Sequence, residues 1–163
     1  MIIDEPVLFL RYAVPCGHVL VKRRDLPKER LEYLEKCAIE GTEPEGDLEN
    51  DFKISVRMLM LTAKRMGKPS IDIEVIRKYF WKEHKACVEW RAKMFPDIDT
   101  ERCVIRVGEV IDVNGNEATI ELKESRAVVN TKFEPDIKEG DWVIIHYDYI
   151  VENITPEQAV KVE

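Results

Sequence analysis

The chain has 163 residues, of which 25 are Lys or Arg and 32 are Asp or Glu, so its net charge is -7 at pH 7. Apolar residues make up 45% of the sequence, which excludes a wholly disordered chain. No apolar run approaches the roughly 18 residues of a membrane span and no secretory signal is visible, so we expect a cytoplasmic protein without membrane contact. The Lys- and Glu-rich composition, with a single Gln, resembles that of thermophile proteins.

The first hundred residues carry apolar side chains at three- and four-residue intervals, which is typical of helices. Residues 5–22 are interpreted as a pair of short helices, with a hairpin bent at Pro15 as the alternative. Three further helices are predicted: one that begins at Pro27 and has Leu31, Leu34 and Ala38 on one side, one over residues 48–66, and one that follows Ser70 and extends to Met94. The apolar stripe of the last one consists of Ile73, Ile76, Phe80, Cys87, Trp90 and Met94.

From Cys103 onward the apolar spacing changes to every second residue, which predicts strands. We predict four of them, at residues 103–113, 118–122, 126–133 and 142–154. Asn114-Gly115 predicts a hairpin between the first two, because both residues tolerate positive φ. Four strands in about sixty residues cannot cover both faces of an open sheet, so we expect a small OB-like β-barrel. Thr155 to Gln158 has the form of a capping box, which predicts a short C-terminal helix.

The change of spacing predicts an α+β protein with two domains, a helical domain at residues 1–98 and a barrel domain at residues 99–163. Residues 1–100 hold 18 Lys or Arg and 18 Asp or Glu, whereas residues 101–163 hold 7 and 14. Small barrels often bind nucleic acid through a basic groove with stacking aromatic side chains. This barrel carries the whole negative charge, so we expect no nucleic-acid partner.

Two segments of the β half carry a family resemblance. The stretch from Cys103 to Val113 resembles the opening of the HypC/HupF family of nickel–iron hydrogenase maturation chaperones, in which a cysteine and a glycine lead into an apolar strand. Residues 135–146, PDIKEGDWVIIH, resemble the family's segment of Pro, Gly-Asp, aromatic residue and His, and residues 150–159 resemble its tail. The resemblance covers about the last sixty residues and none of the first hundred.

Members of this family are small barrels that partner the HypD scaffold and help to carry iron with cyanide and carbon monoxide ligands to the immature hydrogenase large subunit. The resemblance therefore implies a non-catalytic chaperone-like protein that binds a large-subunit precursor or a HypD-like scaffold. It also implies that Cys103 and His146 contact the partner and handle iron, since a thiolate and an imidazole suit this metal. A buried, inert cysteine and a hydrogen-bonded histidine remain the alternative for these residues.

The sequence departs from the family pattern in ways that favour a diverged paralogue. The family's cysteine becomes the N-terminal residue, whereas Cys103 is internal, so any role of a free α-amino group is lost. Ile105 and Val107 replace the glycine and proline that follow the family's cysteine. Residues 147–149, Tyr-Asp-Tyr, replace its glycine-containing step after the histidine.

The helical half contains a second candidate site. Cys16 and His18 lie at a bend, and His84 and Cys87 share one helix face at i and i+3, so the four residues form a set of the kind that binds zinc. Their spacing matches no standard zinc finger, and core cysteines with hydrogen-bonded histidines are the alternative.

Signatures of dinucleotide, phosphate and hydrolase chemistry are missing from the sequence, so we expect no enzymatic activity. The alternatives to a chaperone-like function are an interaction or regulatory module whose barrel has lost metal chemistry, and a Cys/His metal-binding protein.

Overall fold

The computed structural model describes residues 1–162, and Glu163, the last residue of the predicted barrel domain, lies outside the described residues. Its helical part consists of α1 (Pro6–Ala13), α2 (Gly17–Lys22), α3 (Lys28–Glu40), α4 (Leu48–Asp51), α5 (Lys53–Arg65), α6 (Ile73–Lys78) and α7 (His84–Ala92). A 3-10 turn, Val14–Cys16, joins α1 to α2, and a π-helical segment, Tyr79–Glu83, joins α6 to α7. The β part consists of β1 (Ile105–Asn114), β2 (Glu117–Glu121), β3 (Arg126–Asn130), β4 (Trp142–His146) and β5 (Tyr149–Ile154), followed by α8 (Pro156–Val162). Within the described part of the chain, every helix is too short or too polar to cross a membrane.

The strands form a closed barrel with the neighbour order β1-β2-β3-β5-β4. Strands β3 and β5 are parallel, and the other pairs are antiparallel. The predicted α+β class and the small barrel are therefore confirmed. The single strand predicted over residues 142–154 was wrong, because Tyr147 adopts a φ of 52° and turns the chain between β4 and β5.

The helices predicted in the first hundred residues are confirmed, including the helical interpretation of residues 5–22. The region predicted as one helix over residues 48–66 is divided into α4 and α5 at Phe52, whose φ of -125° and ψ of 60° are not helical. The predicted capping box is also present. The backbone N–H of Gln158 donates to Thr155 Oγ1 at 3.1 Å, and the N–H of Thr155 donates to Gln158 Oε1 at 2.9 Å.

The π-helical segment changes which face of α7 is buried. The backbone N–H of His84 donates to the carbonyl of Tyr79, five residues back, so this turn contains one residue more than an α-helical turn. His84 and Val88 are buried as a result. Trp90 and Met94, predicted to lie on the apolar stripe, are instead 61% and 55% exposed.

The helical part and the barrel share one hydrophobic cluster. Buried side chains of α1, α3, α5 and α6 pack in it with residues of the β part, namely Phe133, Ile144, Val151, Ile154 and Ala159. A second cluster fills the barrel and contains Val110, Ala118, Ile120, Val129, Ile137, Val143, Ile145 and Ile150. Alternation along β4 separates the two clusters, because Val143 and Ile145 point into the barrel whereas Ile144 points towards the helices.

Glu152 on β5 is a buried polar link between the two parts. Its carboxylate accepts a hydrogen bond from the hydroxyl of Tyr12 on α1 at 2.6 Å and one from Arg77 Nε on α6 at 3.0 Å. Trp81 Nε1 donates to the same hydroxyl at 2.8 Å. Burial, followed by the neighbouring Glu152, raises the pKa of Tyr12 well above its ordinary value, so the phenol keeps its proton and remains a donor.

We expect Glu152→Gln to lower the free energy of unfolding by about 2 kcal/mol, because hydrogen bonds to a buried charge contribute about 1.5–3 kcal/mol. Urea unfolding followed by circular dichroism measures this loss. The matched control is Glu121→Gln, which removes an exposed ion pair with Arg126 on the barrel surface. It should cost less than about 0.5 kcal/mol. Equal losses in the two variants would contradict a linking role for Glu152.

The division into two domains at residue 98 remains a prediction. Residues 95–102 are exposed apart from Ile98, so a protease of broad specificity should cut in this linker or in the loop at residues 41–46. Because the two parts share a hydrophobic cluster, fragments cut in the linker should elute together in gel filtration and separate only in denaturant. Protection of both segments with cleavage elsewhere would show that the boundary is misplaced.

Candidate metal and partner site

Cys103 lies in a turn that precedes β1, so the strand predicted to start at this residue begins two residues later. The Asp99 carboxylate accepts hydrogen bonds from the backbone N–H groups of Glu101 and Arg102, at 3.0 and 3.1 Å. The Asp99 carbonyl accepts one from the Cys103 N–H at 2.9 Å. β1 then begins at Ile105, which pairs with His146 at the end of β4. This register brings Cys103 beside His146.

The Cys103 Sγ and His146 Nε2 atoms are 3.9 Å apart, and the two residues are 8% and 0% exposed. His146 Nδ1 lies 2.7 Å from the carbonyl oxygen of Tyr12. A carbonyl can only accept, so Nδ1 carries the proton in this hydrogen bond. Nε2 is therefore the ring nitrogen that faces the Cys103 sulfur. The structure thus brings the predicted pair together, while its role in iron handling stays a prediction.

The helical part adds a third sulfur or nitrogen donor to this pair. Among residues 1–162, one group of three potential metal ligands has all its ligand atoms within 4.8 Å of one another, namely Cys16, Cys103 and His146. Cys16 ends the 3-10 turn after α1, and its thiol donates to the Ala13 carbonyl at 3.2 Å. The group therefore includes residues from both parts of the chain.

Hydrogen bonding around the Cys103 sulfur favours its thiolate form. The Cys16 thiol lowers the pKa of Cys103 most, and His146 and His84 lower it further, against the opposing effect of burial. The same contact, together with burial, raises the pKa of Cys16, so this residue remains a thiol. Burial lowers the pKa of His84, which is therefore neutral near pH 7. The result is a soft thiolate sulfur beside a protonated thiol.

The four residues predicted as a zinc set are not gathered into one four-ligand centre within the described chain. His18 Nδ1 lies 3.1 Å from the Pro15 carbonyl oxygen, and its ring packs edge-on against Tyr147 at 4.9 Å. Cys87 is half-buried and lies in a cavity wall. Cys16 and His84 do reach the site, but as neighbours of Cys103.

His84 is held beside His146 by the π-helical segment. The two imidazole rings pack edge to face with their centroids 5.2 Å apart. His84 Nδ1 is buried and has no hydrogen-bond partner in the described part of the chain. A buried polar atom without a partner is costly, so this nitrogen is available to a bound group.

A cavity of about 260 Å³ is lined mainly by residues of the helical part, with Cys103 and Tyr147 contributed by the segments next to β1 and β4. Besides Cys103, its wall includes Cys16, Tyr79, His84, Cys87 and Tyr147. The sulfur of Cys103 therefore has a route to a small ligand although the residue is 8% exposed.

Tyr147 covers the Cys103–His146 pair in spite of a strained backbone. Its φ of 52° is left-handed, which costs a residue other than glycine about 1–2 kcal/mol. The residue is 4% exposed, its ring packs at 5.4 Å from the His146 ring, and the guanidinium of Arg102 lies 5.5 Å from the ring centroid. Tyr147 also belongs to the small apolar cluster around Cys103. These contacts offset the strain and shield the site.

The sequence of the barrel is similar to that of a known protein family. Residues 103–163 match the sequence model of the HupF/HypC family. The match starts at Cys103 and includes the barrel and α8, and the resemblance found in the sequence is thereby confirmed. No curated protein sequence matches the chain. Tyr12, Cys16 and His84 all lie outside the segment that is similar to the HupF/HypC family.

Tyr147→Gly should increase the rate at which iodoacetamide alkylates Cys103 several-fold, because it removes the ring that covers the sulfur. It should also lower stability by about 2 kcal/mol, since loss of a buried aromatic side chain costs about 3 kcal/mol and relief of the backbone returns about 1 kcal/mol. Peptide mapping by mass spectrometry separates Cys103 from the other cysteines. Tyr147→Phe keeps the ring and serves as the control. A Cys103 rate that is equal in both variants would contradict the covering role.

Proposed function

We propose that this protein is a non-catalytic hydrogenase-maturation chaperone of the HupF/HypC type that acts in the cytoplasm by binding partner proteins. Support comes from the family match over residues 103–163 and from the closed barrel that these residues form. The partners that the similarity favours are a hydrogenase large-subunit precursor and a HypD-like scaffold.

The observation that carries the finer proposal, transient iron handling, is the approach of Cys103 Sγ to within 3.9 Å of His146 Nε2. With metal–sulfur and metal–nitrogen bonds of about 2.3 and 2.0 Å, adjacent ligand atoms lie about 3.0–3.6 Å apart, depending on the coordination geometry. Side-chain movements of less than about 1 Å would therefore let both atoms reach one ion. The donor types fit as well, because thiolate is a soft ligand and imidazole suits iron.

Each residue of the pair has a distinct role in this proposal. The lowered pKa of Cys103 supplies the thiolate without a separate base. The Tyr12 carbonyl holds the Nδ1 proton of His146 and so directs Nε2 towards the iron that is carried as cargo. The cavity lined by Tyr79 and Cys87 provides the space next to the sulfur.

The test is an anaerobic pull-down of the tagged full-length protein from its native organism, compared with Cys103→Ala. The wild type should capture a hydrogenase-maturation partner together with iron that shows cyanide and carbon monoxide stretches in the infrared. Cys103→Ala should lose the iron and its infrared bands, because the soft ligand is gone, while its melting temperature changes little.

Cys37→Ala is the matched control, since Cys37 is a buried cysteine in the helical core and lies outside the site. It should retain iron and partner. If Cys103→Ala retains iron and partner but melts at a lower temperature, Cys103 is a packing residue and the iron-handling proposal is wrong. Capture of a partner without iron by the wild type would favour the interaction module without metal chemistry.

A further inference from the structure

Besides Cys103, the site contains a second thiol, Cys16, which comes from the helical part. Cys16 lies 87 positions before Cys103 and outside the matched segment, yet its sulfur is within 4.8 Å of both Cys103 Sγ and a ring nitrogen of His146. Two sulfurs and one imidazole nitrogen at such distances can serve as three ligands of one transition-metal ion.

We propose that Cys16 is a third metal ligand, which the helical part contributes to Cys103 and His146 to form a Cys2His site for a divalent transition-metal ion. This inference rests on the proposed use of Cys103 and His146 as iron ligands, and the physiological ion that it assigns to the site is iron(II). It gives the helical part a role in metal binding, because Cys103 and His146 alone supply only two of the three ligands.

Charge balance supports two sulfur ligands over one. The site is enclosed, with Cys103 and His146 buried and Cys16 half-buried, and an uncompensated charge in such surroundings is costly. One thiolate leaves a divalent ion with a net positive charge, whereas two thiolates neutralise it. Binding at Cys16 therefore requires its proton to leave to solvent as the metal–sulfur bond forms.

The surroundings of the three ligands offer a hydrogen-bonding nitrogen and space for a further polar group. His84 Nδ1 is buried and has no partner in the described residues, and the His84 ring packs on His146. The cavity beside Cys16 and Cys103 is the space into which such a group would extend. Three protein ligands leave at least one coordination position of the ion open.

Cys16 is held where it can change partner without refolding. Its thiol donates to the Ala13 carbonyl at 3.2 Å within the same 3-10 turn, and this bond is replaced by a bond to metal through a side-chain rotation. Gly17 follows it, and a Cβ at that position would lie 2.4 Å from a methyl carbon of Leu31. Glycine therefore allows the turn that contains Cys16 to pack closely on α3.

The experiment titrates cobalt(II), a spectroscopic substitute for iron(II) and zinc(II), into the reduced full-length protein without oxygen. The intensity of the near-ultraviolet charge-transfer absorption reports the number of thiolate ligands. The wild type should show the band of two thiolates, and Cys16→Ser should lose about half of it and bind cobalt more weakly. Cys103→Ser should lose a similar fraction. Cys87→Ser, which removes a thiol from the same cavity wall but outside the ligand group, should bind as the wild type does.

The outcomes separate this inference from the proposed function. If Cys16→Ser and Cys16→Ala both keep the wild-type band, Cys16 is not a ligand and the inference is wrong, while iron capture through Cys103 in the pull-down stands or falls independently. Absence of a thiolate band in the wild type overturns the three-ligand site in the same way. Far-ultraviolet circular dichroism identifies a variant that fails to fold, and the second Cys16 substitution then decides.

Discussion

The hydrogen bond between His146 Nδ1 and the Tyr12 carbonyl is the contact on which the site depends. It joins the last residue of β4 to α1, and it determines which nitrogen of His146 faces Cys103. The side chain of the same Tyr12 binds Glu152 on β5, the neighbouring strand. One residue of the helical part therefore holds two adjacent strands of the barrel, through its backbone at one point and its hydroxyl at another. The helices complete the site as well as packing against it.

Much of the fold follows from the spacing of apolar residues. The two-residue spacing along β4 correctly placed His146 on the same face as Ile144, and the helical spacing of Leu31, Leu34 and Ala38 located α3. The turn at Tyr147 could not be predicted, because an aromatic residue at positive φ is disfavoured locally and is stable here through contacts with His18, His146 and Arg102. The contacts with His18 and Arg102 join residues far apart in the sequence.

The site was predictable to the extent that it lies within the barrel. Cys103 and His146 were identified by resemblance, and the pairing of β1 with β4 explains why they meet. Cys16 and His84 stood out as residues able to bind metal, but the sequence grouped them by local spacing with His18 and Cys87. Their actual neighbour is Cys103, and this depends on how the 3-10 turn and α7 pack on the barrel. Local spacing carries no information about that packing.

The extra residue in the π-helical turn sets the rotation of all that follows in α7. If the same residues were wound as a regular α-helix, α7 would rotate by about 100° about its axis, and Cys87, Trp90 and Met94 would occupy the face that now carries His84 and Val88. Deleting one residue from Tyr79–Glu83 would also restore regular winding, but it would leave His84 on its present face, because the π-helical turn absorbs one residue more than an α-helical turn. The wide turn therefore places an imidazole beside His146 in a segment whose apolar spacing would otherwise place an aromatic residue there.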